Sequence, residues 1–105
     1  MSHIVNFTDI DWTVPAVGVR FKAYTNNNQR IRLVEFSEGL IEPNWCINGH
    51  AGYVLDGSYS IDYNGQIEHY KKGDALFIPK DEKDKHKVIM DVGGWVQLLL
   101  FEIIE

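Results

Sequence analysis

The sequence predicts an all-β fold, a small barrel or sandwich, and three observations carry that prediction. Short runs of alternating or continuous apolar residues recur along the chain. Turn signals separate them at Asn26-Asn27-Asn28, Asn64-Gly65, Lys72-Gly73-Asp74 and Gly93-Gly94. No stretch holds a helical period, and no segment repeats.

The elements follow in order. Ile10, Trp12 and Val14 alternate with Asp11 and Thr13, a short strand that Pro15 confines to an edge or an end. Val17 to Tyr24 is a second strand. Gln29 to Phe36 is a third, with Ile31 and Leu33 opposite Arg32 and Val34. Glu38-Gly39 turns the chain, and Leu40 to Asn44 is irregular because Pro43 cannot join a central ladder. Trp45 to Ile47 and the apolar run Tyr53-Val54-Leu55 come next. From Ser58 to Tyr63, Tyr59 and Ile61 should face the core, and Ser58, Ser60 and Asp62 should face water. Asn64-Gly65 is a hairpin turn, because a type I′ turn needs positive φ at both positions. Gln66 to Tyr70 returns along it. Ala75 to Ile78 is a short strand stopped by Pro79, and Lys80 to Asp84 is a charged surface loop. His86 to Met90 and Trp95 to Ile104 complete the set.

A chain of 105 residues predicts one domain, with residues 1–28 as an N-terminal arm of edge strands and 29–105 as the barrel. The balance of 45% hydrophobic and 24% charged residues is that of an ordinary globular protein. A net charge of −5 disfavours nucleic acid or an anionic membrane as partner. No apolar run is long enough to span a bilayer, and the first residues lack the pattern of a signal peptide. Cys46, the single cysteine, cannot form an internal disulfide, so a reducing, cytoplasmic setting is expected.

Two spacings resemble the cupin superfamily, whose motifs are G-x5-H-x-H-x(3,4)-E-x6-G and G-x5-P-x-G-x2-H-x3-N. Gly73 and Pro79 match the skeleton of the second, and Gly57 closes the first after an apolar strand. The Asn64-Gly65 hairpin lies between them, and the resemblance runs from about Gln29 onward. It implies a double-stranded β-helix, the cupin or jelly-roll barrel, with a pocket for a small molecule and a metal. The ligand slots depart from the pattern. Counted back from Gly57, the glutamate slot holds His50, the second histidine slot Cys46 and the first Asn44. In the second motif Asp81 holds the glycine slot and Asp84 the histidine slot, with His86 two residues on.

Cys46, His50 and His86 are therefore the candidate metal ligands, with Asp84 or Asn44 as a fourth. Thiolate with imidazole selects zinc first and leaves iron, manganese, nickel or copper open. The plain alternative is that Cys46 is a small buried apolar residue and His50 a hydrogen-bonded core histidine. Among the aromatic residues, Trp45 is placed at the barrel mouth, so Asn44 and Trp45 are the expected ligand contacts. Arg20, Arg30 and Arg32 are read as solvated, with pairing to a ligand carboxylate as the alternative. His3 and His69 are read as surface residues. The function expected is a metal-binding cupin for a small polar organic ligand, either an enzyme or a metal-free binding or sensing module, with a structural partner module as third option. The apolar N-terminal strands could cover their own barrel or extend a neighbour's sheet. Resemblance favours the second, a homodimer with Trp12 at or near the interface.

Overall fold

Val19–Asn26 (β2) and Gln29–Ser37 (β3) form a tight hairpin in the computed structural model, which describes residues 2–104. The asparagine run turns it, Asn27 taking φ 54°. Thr13–Ala16 (β1) adds to the outer side of β2 and forms an edge, the position that Pro15 tolerates. β3 pairs along its whole length with Trp95–Ile103 (β8), which pairs in turn with His50–Tyr63 (β4).

β4 organises the molecule. Its first half lies between β8 and Ala75–Ile78 (β6), and its second half pairs with Gln66–Lys71 (β5) and Lys87–Ile89 (β7). The two predicted runs on either side of Gly57 are thus one strand that passes from one sheet to the other. The register shifts between Val54 and Asp56, and Gly57 takes φ 76° where the chain swings across. A Cβ on Gly57 would lie 2.1 Å from the Trp95 carbonyl oxygen, so no other residue fits without moving backbone. Asn64 and Gly65 take φ 56° and 107°, the mirror-image turn expected, and Asp62 Oδ1 accepts from the Gly65 N–H at 2.7 Å.

The core lies between the two sheets. Val34, Val54, Ile61, Val96 and Leu98 are sealed from water, and Tyr59, Leu76, Ile78 and Leu100 pack around them. β8 contributes every second residue from Val96 to Glu102 to this interior, the strict period of a strand with one buried face. Ser60 corrects the expected wet face of β4. It is buried because β5 and β7 flank the strand there, and its hydroxyl meets His69 Nδ1 at 2.6 Å. Phe77 is the opposite case, an aromatic left 81% exposed on the outer face of β6.

The N-terminal strands lie on their own chain's sheet, in register from Val19 opposite Phe36 to Asn26 opposite Gln29. Trp12 is partly buried beneath the Arg20 guanidinium at 4.0 Å and the Lys22 ammonium at 4.9 Å, an intramolecular cation–π stack. Among the described residues no helix is long and apolar enough to cross a membrane.

Candidate metal centre and ligand cavity

Cys46 and His86 meet before either enters a long strand. Each donates its N–H to the other's carbonyl at 2.9 Å, an isolated antiparallel bridge. A hydrogen-bonded pair of this kind sends both side chains to the same face. His50 opens β4 four residues after Cys46, and its inward neighbours on that face are Gly52 and Val54. The three side chains converge, with one donor atom from each within 4.8 Å of the others. Cys46 Sγ lies 3.8 Å from His50 Nε2, and the two imidazoles meet nearly edge-on at 5.3 Å between centroids.

The geometry settles which ring nitrogens are free. His86 Nδ1 lies 3.1 Å from the Asp84 carbonyl oxygen, which only accepts, so Nδ1 carries the proton and Nε2 is left for the cluster. His50 Nδ1 lies 3.2 Å from Glu102 Oε2, close but off the line of a hydrogen bond. Hydrogen bonding from the His50 ring, above all, draws the Cys46 thiol down to about 6 against the pull of burial. Burial opposes a charged His50, but the Cys46 sulfur and Glu102 outweigh it and hold the imidazole up at about 9. Near neutral pH the metal-free cluster is therefore a thiolate–imidazolium pair.

The donor set fits a metal. Tetrahedral zinc, with bonds of about 2.3 Å to sulfur and about 2.0 Å to nitrogen, spaces its donors about 3.5 Å apart. The 3.8 Å between Sγ and Nε2 is close to that spacing.

No family model matches the chain, and no curated protein matches it at a meaningful level. Solved structures do. The polyketide cyclase RemF from Streptomyces resistomycificus superposes with a TM-score of 0.82 at 22% identity, over 100% of this chain and 81% of that one. KdgF from a Halomonas species gives 0.74 at 20% identity, over 100% and 96%. An RmlC-like cupin from Shewanella frigidimarina gives 0.72 at 16% identity, over 100% and 95%.

The fold is that of a cupin.

Three of the residues expected at the site lie elsewhere. Asp84 ends a 3-10 turn, Glu82–Asp84, capped by the Asp81 side chain, so it is not on the extended segment that carries His86. Its carboxylate stays outside the cluster and lines a separate groove with Tyr63, Glu68 and Tyr70. Its backbone carbonyl, not its side chain, serves His86. Asn44 is exposed. Trp45 is half-buried under the Lys85 and Lys87 ammonium groups, at 5.5 and 4.6 Å, and lines none of the cavities beside His50.

Glu102 is the site residue that the motifs did not indicate. It accepts from Arg30 Nη2 at 3.0 Å and Arg32 Nε at 2.5 Å, and it faces His50. Burial pushes its carboxyl up, but His50 and Arg32 outweigh that and hold it at about 2. Arg30 and Arg32 are thus internal partners and not the solvated side chains expected. Arg20 is exposed as expected, and it also pairs with Glu35 at 2.8 Å.

Next to His50 the barrel holds a cavity of about 310 Å³. Exposed residues such as Ala16 and Ile41 stand at one end, and Tyr59, Leu98 and Leu100 form interior wall. Arg32, Glu42 and His50 supply charge along it, and Glu42 Oε1 accepts from the Val88 N–H at 2.8 Å.

Proposed function

We propose that this cupin binds a divalent metal, zinc by its donor set, through Cys46, His50 and His86, and a small molecule in the cavity beside His50. The observation that supports the reading is the Cys46–His86 bridge. It aims a thiol with a lowered pKa and an imidazole with a free Nε2 at the point His50 reaches. Three protein donors are the number a catalytic zinc site carries, with the fourth position left for water or substrate. When bound, such a metal polarises an oxygen of the ligand or of water. The chain's own residues do the rest: Glu102 sets its negative charge behind His50, the Asp84 carbonyl orients His86, and the apolar walls exclude water. RemF is described as a polyketide cyclase, so the scaffold supports enzymes on small molecules.

A metal-free binding module is the second reading. It is favoured by the thiolate–imidazolium pair, which satisfies the cluster's charges without a cation. A cytoplasmic setting, which keeps Cys46 reduced, belongs to either reading. So does a homodimer, for which the exposed edge strand β1, with Val14 68% exposed, is the proposed contact.

Zinc titration of protein purified without chelator or affinity tag decides between the two readings. One equivalent bound, with a rise in melting temperature, supports the metal centre. No binding and no shift favours the metal-free module.

A further inference from the structure

The cavity beside His50 is unevenly built. Its wall is apolar except for Arg32, Glu42, His50 and the Tyr59 phenol. Phe36 and Tyr59 stand 5.9 Å apart between ring centroids, a pair of tilted aromatic faces. A polyol placed there would lose its hydrogen bonds to water at most of its hydroxyls and regain few.

The charges gather around His50. Arg30 and Arg32 both pair with the one carboxylate of Glu102, which leaves a positive charge in excess around that carboxylate, at the His50 end. Arg32 reaches the cavity wall itself. Glu42 is the opposing charge on the wall, and the Val88 N–H fixes its carboxylate on β7, away from the Glu102 pair.

We infer that the cavity takes a molecule with an apolar, preferably aromatic, body and a single anionic oxygen head, a carboxylate or an enolate. The body lies against Phe36, Tyr59, Leu98 and Leu100, and the head lies toward Arg32 and His50. The inference rests on the reading of this cavity as the ligand site and replaces the small polar ligand expected from sequence. A volume of about 310 Å³ is at the small end of the range for ligand pockets, which suits one or two fused rings.

The test uses the zinc-treated full chain and calorimetry with three probes: 1-naphthoate, the neutral 1-naphthalenemethanol, and gluconate, which has the same charge and a polar body. The expected result is naphthoate binding at least tenfold tighter than either of the others. Ala16→Trp and Ile41→Trp fill the exposed end of the cavity from positions that tolerate bulk, Ile41 being 83% exposed. Each should weaken naphthoate binding at least tenfold while zinc stoichiometry stays unchanged, and circular dichroism confirms that each has folded. Gluconate binding as tightly as naphthoate, no naphthoate binding, or naphthoate binding indifferent to both folded variants would overturn the inference. Naphthoate selectivity in a protein that takes up no zinc would leave the ligand class standing and remove the metal centre alone.

Discussion

Cys46 and His86 exchange both backbone hydrogen bonds at 2.9 Å and so hold two donor side chains on one face of an otherwise irregular segment. This bridge makes the cluster a property of the backbone and not of side-chain chance. Extended pairing resumes only at Lys87, so the two ligands are set by two hydrogen bonds and by the strands beyond them.

His86→Ala should therefore remove a metal ligand and leave the fold in place, since His86 is paired through its backbone. At a zinc concentration a hundred times the dissociation constant, wild type gains about 2.7 kcal/mol of stability from binding. The variant should lose most of that gain, and its metal-free baseline should lie below that of wild type because the truncated ring is buried. Differential scanning calorimetry with and without zinc measures both numbers.

The pKa shifts give zinc affinity a defined pH dependence. Between about 6 and about 9 Cys46 is already ionised and His50 still protonated, so binding must displace one proton from the pair. For this pair, affinity should climb about tenfold per pH unit across that window. It should climb more steeply below about 6, where the thiol must also ionise, and flatten above about 9. Calorimetry in buffers of different ionisation enthalpy counts the protons, and a pH-independent affinity across that window would contradict the assignment.

Glu102→Gln tests the carboxylate behind His50. Outer-shell partners of metal-bound histidines are worth about 10- to 100-fold in affinity, and a loss of that size is expected in a chelator competition. The same carboxylate is depressed from 4.5 to about 2 in the folded protein. Its contribution to stability is present above 4.5 and is lost as pH falls toward 2. The variant should lose less stability than wild type across that acid window, as followed by denaturant melts.

Much of this was legible in the sequence, for stated physical reasons. Gly57, Gly65 and the Gly73–Pro79 pair mark places where only certain residues let the chain turn, so the succession of strands along the chain around them could be read. Counting from those turns singles out Cys46, His50 and His86, whose side chains the fold brings together. Asp84 was misplaced because a side-chain cap from Asp81 winds the loop into a 3-10 turn, and alternation no longer applies there. Glu102 was missed because it lies beyond both motifs. Parity was the available signal: it shares the inward face of β8 with Val96, Leu98 and Leu100 and sits opposite Arg30. Ser60 reads as wet because only one of its flanking strands, β5, follows from the local hairpin, and the other, β7, comes from distant sequence.

Gly65→Val isolates the hairpin from the site. Nothing lies within 4 Å of a Cβ built there, so any cost comes from the backbone at φ 107° and not from a clash. A loss of roughly 1–3 kcal/mol is expected, with zinc affinity unchanged, and urea denaturation alongside a zinc titration reads the two separately.

Cobalt(II) substitution tests the metal centre most directly, because a thiolate–cobalt bond gives a charge-transfer absorption that no nitrogen or oxygen ligand supplies. One equivalent added to metal-free protein should produce that band together with the intense visible bands of a four-coordinate ion, and zinc should displace it. In Cys46→Ser the charge-transfer band should vanish. A wild-type spectrum indistinguishable from that of cobalt in buffer would contradict the proposal that Cys46, His50 and His86 hold a metal.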